Sequence, residues 1–256
     1  MNIIKHLPNF ITLLNLFCGC IAMVFVADQQ FDIGFYFVCL GIFLDFFDGF
    51  FARLFKVSSP LGLQLDSLAD MITSGLVPGF VMYKWLPSYI AGIDKNNNIS
   101  NSVPNYFDNP TKLIPYLGFI ITLGACYRLA NFNIDSRQTD SFIGLPTPAN
   151  ALFIMSIPLI VINTDSIFVL EILTNPWVLI IITFFSAYIM NAEVPLFSLK
   201  MKSFSFNKYK LQIGFLIATV IMILSFQFLA IPLIIITYIL LSVFNNKLQK
   251  KEIYIE

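Results

Sequence analysis

Four aspartates, Asp45, Asp48, Asp66 and Asp70, are the residues of this 256-residue chain best placed to do chemistry. They lie in DFFDGFFARLFKVSSPLGLQLDSLAD, with Phe, Leu, Ile and Val on both sides. A carboxylate in such membrane-like surroundings costs roughly 3 kcal/mol unless it is paired, hydrated or metal-bound. Asp45 and Asp48 are three apart, Asp66 and Asp70 four apart, so each pair shares one face of a helix. Ser58, Ser59, Pro60 and Gly62 between the pairs read as a turn, and a hairpin there brings the two acidic faces together. Oxygen donors with no His or Cys nearby suit Mg²⁺, Mn²⁺ or Ca²⁺ rather than Zn²⁺. Two ions fit the charge, because four bare carboxylates repel one another. Gly49 and Ala52 leave room for a close approach, and Arg53 offers a fork that suits phosphate. Hard cations, a guanidinium and a floor of small residues form a kit for handling a diphosphate.

These side chains must be carried by apolar helices. The chain is 57% hydrophobic and 12% charged, with a mean hydropathy of +0.80, which indicates a polytopic all-α membrane protein. Its net charge is zero and no basic footprint for nucleic acid is visible. Cys18, Cys20, Cys39 and Cys126 sit in apolar runs without metal spacing and read as buried thiols. His6 precedes the first helix and reads as an interfacial residue, and the N-terminus reads as a retained first helix, not a cleaved signal.

Apolar runs place about eight transmembrane helices near residues 10–27, 31–54, 64–91, 112–131, 147–163, 175–190, 209–228 and 230–248. The whole of 1–256 reads as one integral membrane domain, with a catalytic core over about 5–190 and a C-terminal hairpin over about 209–248. Asp94–Pro110 is polar and reads as the one long loop, with a weak glycosylation sequon at Asn98–Ser100. Ile3, Ile4, Leu7 and Phe10 share a face and suit either an interfacial lead-in or a plain approach to the first span. Twelve of the fifteen Lys and Arg fall on the side of the hairpin turn, among them Arg53, Lys56, Arg128, Arg137, Lys200, Lys202 and Lys208. By the positive-inside rule, both termini and the acidic turn face the cytoplasm.

The pattern D-x2-D-G-x2-A-R-x8-G-x3-D-x3-D is complete in Asp45, Asp48, Gly49, Ala52, Arg53, Gly62, Asp66 and Asp70. It resembles the signature of the CDP-alcohol phosphotransferases, which build phospholipid headgroups in membranes. RLANFN at Arg128–Asn133, then GLPTPA at Gly144–Ala149, is similar to the bacterial and archaeal phosphatidylserine synthases. The departure is Asn131, where that subfamily commonly has Arg. The first helix, PNFITLLN from Pro8 to Asn15, also resembles the family's pattern. The resemblance covers roughly residues 5–160.

It implies a six-helix catalytic core and transfer of a phosphatidyl group from CDP-diacylglycerol to L-serine, giving phosphatidylserine and CMP. It implies Asp45, Asp48, Asp66 and Asp70 as ligands of two Mg²⁺ or Mn²⁺ ions, with Asp70 also the general base. Gly49, Ala52, Arg53, Gly62 and Asn15 would bind the CDP-lipid, with a weaker claim for Thr12. Arg128 and Asn133 would hold the serine carboxylate. A homodimer in a bacterial inner membrane is expected on the same ground. Two other readings stay open: the same chemistry with glycerol 3-phosphate, choline or an inositol phosphate as acceptor, and a divalent-cation transporter using the acids as a relay.

Overall fold

The computed structural model describes residues 6–57, 59–90, 110–135, 142–197 and 210–253. Lys5, Arg137, Lys200, Lys202, Lys208, the 98–100 sequon and the face formed with Ile3 and Ile4 lie outside the described residues.

Helix α1 (Leu7–Ala27) opens with Pro8 in its first turn, where the missing N–H costs nothing. It ends where Gln29 takes a left-handed φ of 61°. Helix α2 (Phe31–Leu54) follows at once and runs back along α1, with Asp32 in its first turn and Arg53 in its last, both complementing the helix dipole. Helix α3 (Pro60–Asp70) starts on Ser59, whose hydroxyl accepts the Gly62 N–H at 3.0 Å, with Pro60 behind it. This cap starts the helix four residues ahead of the expected 64. After Asp70 the backbone widens into a π-helical segment, Met71–Leu76, and then continues as α4 (Val77–Ile90).

A 3₁₀ stretch, Pro110–Phe119, leads into α5 (Ile120–Phe132). Helix α6 (Thr147–Asn163) is the most buried of the set. Helices α7 (Ile167–Leu173) and α8 (Pro176–Asn191) are bent by 65° at a short break capped by Asn175. Helices α9 (Lys210–Phe226) and α10 (Ala230–Ile253) close the described chain. They form a hairpin turning at Gln227 (φ 49°), because the rings of Phe215 and Tyr238 meet at 5.6 Å. One two-residue antiparallel pair, β1 (Phe142–Ile143) with β2 (Pro195–Leu196), departs from an all-helical expectation.

Four helical stretches among the described residues are long and apolar enough to cross a membrane, and the bent pair α7–α8 makes a fifth. The longest of them, Lys210–Asn246, is the α9–α10 hairpin. Large apolar side chains cover the outside as well as the core: Leu123, Trp177 and Leu224 are all more than two-thirds exposed. A surface of that kind suits lipid contact and marks a membrane protein.

Small residues let the helices approach closely, as membrane bundles require. A Cβ on Gly118 would meet the Tyr83 backbone N at 2.6 Å and the Gly79 carbonyl at 2.9 Å, atoms that cannot swing aside. Gly118→Ala is therefore expected to cost about 1–3 kcal/mol. The check is the thermal midpoint in detergent, which falls by several degrees if the contact is as tight as drawn and is unchanged if it is not.

Candidate active site

The site is assembled by three helices. Asp45 and Asp48 come from α2, Asp66 and Asp70 from α3, and α1 lies against both. One carboxylate oxygen each of Asp45, Asp48 and Asp66 falls within 4.8 Å of the others, so the two helix faces meet across the turn. Asp70, one turn deeper, is 9% exposed and close enough to interact with all three.

Helix α1 supplies the hydrogen bonds that orient these acids. The Thr12 hydroxyl donates to Asp48 Oδ2 at 2.5 Å, and Asn15 Nδ2 donates to Asp70 Oδ1 at 3.3 Å. Asn15 is held in turn by the Thr73 hydroxyl, which donates to its backbone carbonyl at 3.2 Å from the π-helical segment. Such segments often accompany functional sites, because the extra residue redirects side chains on the next turn. Gly41 makes room for this packing: a Cβ there would lie 2.8 Å from both Asn15 Oδ1 and the Thr73 methyl.

The donor set fits a hard divalent cation. It contains only oxygen, it is convergent, and Asp45 Oδ1 is buried with no hydrogen-bond partner. A cation would satisfy that orphaned oxygen and offset the repulsion among the carboxylates. Asp45, Asp48 and Asp66 are the residues that would hold it, with Asp70 adjacent.

Beside the acids a cleft of about 250 Å³ opens, lined by Gly49, Ala52, Arg53 and Gly62 together with Asp48 and Asp66. The Arg53 guanidinium folds back over Gly49, and its charge reaches Asp48. A negatively charged ligand here would meet Arg53 on one flank and, on the other, any cation that the acids hold. Asn9 and Thr12 of α1 form the facing wall, and Asn9 Oδ1 sits 3.1 Å from where a Cβ on Gly62 would be. Asn9 lies in the PNFITLLN stretch, but spacing alone gives no reason to pick it out.

Other expected site residues take different positions. Asn15 is fully buried, stands behind Asp70 and is not among the residues that line the cleft; the contact the structure gives its side chain is with the acid. Arg128 is 6% exposed, and its Nη1 donates to the Ile143 carbonyl at 2.7 Å and the Met190 carbonyl at 2.8 Å. It braces the β1 strand against the end of α8 through Nη1, where Gly144 at φ +74° leaves space for it. Asn133 does reach the hairpin, donating to Ser67 Oγ at 2.9 Å beside Asp66.

The sequence profile of the family described as CDP-alcohol phosphatidyltransferase matches residues 5–188. Among curated proteins, the CDP-diacylglycerol–serine O-phosphatidyltransferase of Bacillus subtilis is 31% identical over 148 residues, 56% of this chain and 70% of that protein. The protein of the same name from Helicobacter pylori is 32% identical over 150 residues, 58% of this chain and 55% of that one. The one from Methanocaldococcus jannaschii is 28% identical over 149 residues, 58% of each chain. The matched stretch thus spans little more than half the length of the last two relatives.

The geometry predicts a metal affinity that depends on α1 as well as on the acids. Titration of Mn²⁺ into the detergent-purified protein, followed by electron paramagnetic resonance, should show Thr12→Val weakening binding about 10-fold and Asp66→Ala about 100-fold or more. Equal affinity in all three proteins would contradict the assignment.

Proposed function

This chain belongs to the CDP-alcohol phosphatidyltransferase family, and on that premise we propose that it makes phosphatidylserine and CMP from CDP-diacylglycerol and L-serine. The observation that carries the proposal is the convergence of Asp45, Asp48 and Asp66 beside a cleft floored by Gly49 and Ala52 and flanked by Arg53. The choice of serine follows the names of the relatives.

In this reading the diphosphate lies in the cleft, against the small floor and the Arg53 fork. Bound Mg²⁺ or Mn²⁺, two ions in the full site, supplies charge neutralisation on the diphosphate and the departing CMP. Asp70 takes the proton of the serine hydroxyl. The serine oxygen forms a bond to the β-phosphorus, the one that carries diacylglycerol, and the bond from that phosphorus to the bridging oxygen of CMP breaks. Asn15 keeps the Asp70 carboxylate turned toward the acceptor, and a base so positioned contributes about 10²–10⁴ in rate. Asn133 stands on the acceptor side of α3, where its amide suits the serine carboxylate. A phosphorylated acceptor would need a further cation there.

The same proposal includes eight crossings. The apolar rod Pro60–Ile90, α6 and the two arms of the α9–α10 hairpin each count as one. The Lys and Arg excess beside the acidic turn supports a cytoplasmic site in an inner membrane. A homodimer is carried with the family resemblance.

Membranes containing the protein, given CDP-diacylglycerol and labelled serine, should form labelled phosphatidylserine that a chelator abolishes. Asp70→Asn should lower its formation by about 10³-fold while leaving CDP-lipid binding within severalfold of wild type. Labelled product from glycerol 3-phosphate but not from serine would move the acceptor. A normal rate in Asp70→Asn would remove the base.

A further inference from the structure

Away from the acidic cleft, α6, α7, α8 and α10 line a partly open apolar cavity of about 470 Å³. It shares no lining residue with the cleft, and α1, α2 and α3 contribute nothing to it. Much of one wall, Leu233, Ile236 and Ile239 of α10, lies beyond residue 188, where the family match ends. The cavity therefore includes a part of this chain that the shared domain does not explain.

The two ends of the cavity differ. Asn150 and Ser186 line the end on the side of the acidic site, since α6 starts next to the β1 strand that Arg128 braces and α5 ends where Asn133 meets Ser67. Leu229 and Pro232, at the turn between α9 and α10, line the other end. The walls between are aliphatic or aromatic. From Asn150 to Ile160 the cavity follows α6 for about 15 Å.

Size and chemistry narrow the occupant. A partly open apolar cavity of this volume left bare forgoes packing contacts that an apolar occupant restores. Water gains nothing from walls without polar groups. An α-helix about 10 Å across and 15 Å long needs on the order of 1,200 Å³ and does not fit. A single extended hydrocarbon chain does, and the bilayer supplies it. Position gives its direction: Asn150, 1% exposed with its Oδ1 accepting from the Ser186 hydroxyl, marks the end nearer the acidic site. In the proposed orientation that end is the one nearer the lipid–water boundary, where ester oxygens lie with their tails running inward from it.

We propose that this cavity is a binding site for one acyl chain of a resident glycerophospholipid, distinct from the nucleotide-linked lipid, with its ester oxygens toward Asn150 and its tail toward the α9–α10 turn. The bound chain joins α10 to α6 and α8, so the C-terminal hairpin docks on the core through lipid as well as through protein contacts. This inference requires only that the protein resides in a bilayer, so it stands or falls independently of the acceptor alcohol.

Photolabelling tests it on the full chain in liposomes of phosphatidylglycerol with a trace of phosphatidylethanolamine carrying a diazirine at the end of one tail. Mapping by mass spectrometry should find label on the cavity walls of α6 and α10, as well as on lipid-facing residues such as Leu224. Ile157→Trp and Ile236→Trp should each reduce the wall label roughly fivefold or more, because the indole takes the space of the chain, and leave the label at Leu224 unchanged. Excess CDP-diacylglycerol should not compete. Walls unlabelled in the wild type, or label indifferent to both substitutions, would overturn the site. Displacement by CDP-diacylglycerol would also overturn it, since the cavity would then belong to the substrate's own tail. If one tryptophan variant fails to fold, the wild-type map and the other variant still decide.

Discussion

The structure depends on holding like charges together in an apolar bundle. Each carboxylate placed among membrane helices costs roughly 3 kcal/mol, and bringing three within 4.8 Å adds mutual repulsion. Hydrogen bonds to charged groups return about 1.5–3 kcal/mol each. The α1 helix provides one to Asp48 from Thr12 and one to Asp70 from Asn15. That leaves Asp45 Oδ1 buried and without a partner, a deficit that a hard divalent cation is suited to remove. The fold thus sets up an arrangement that protein groups alone do not complete. The glycines at helix crossings, the Ser59 cap and the widened turn after Asp70 are what allow α1, α2 and α3 to come close enough to create it.

Much of the site could be read before any coordinates. The i, i+3 and i, i+4 spacings of the four aspartates determine which helix face they share, and the Ser-Pro-Gly turn determines that the two faces meet. Helix positions followed apolar runs for the same reason, since lipid demands continuous hydrocarbon. What escaped has physical causes as well. Nothing in Met-Ile-Thr-Ser-Gly-Leu marks a π-helical turn; it arises from packing against Asn15 and α5. Helix α7 and its bend were hidden because Ile167–Leu173 is too short to stand out from the apolar segments around it. The strand pair is two residues long and is held by Arg128 from a distant helix, so no local pattern announces it.

Arg128 and Asn15 show how a motif can name the right residue and leave its task open. Both are polar residues in apolar helices, and a ligand contact is the natural reading of such a residue. Both turn out to be wholly inside the protein, Arg128 on two backbone carbonyls and Asn15 on a carboxylate. In a low-dielectric interior an unpaired polar group is costly, so polar side chains near a site are claimed first by the scaffold. Thr12 lines the cleft, and Asn133, at the end of its helix, meets Ser67 beside Asp66.

The most direct test of the central claim is the location of the cation itself. Crystals grown with Mn²⁺ and measured at its absorption edge should show anomalous density within coordination distance, about 2.2 Å, of oxygens from Asp45, Asp48 and Asp66. Anomalous density elsewhere, or none at these carboxylates in a well-ordered site, would contradict the account.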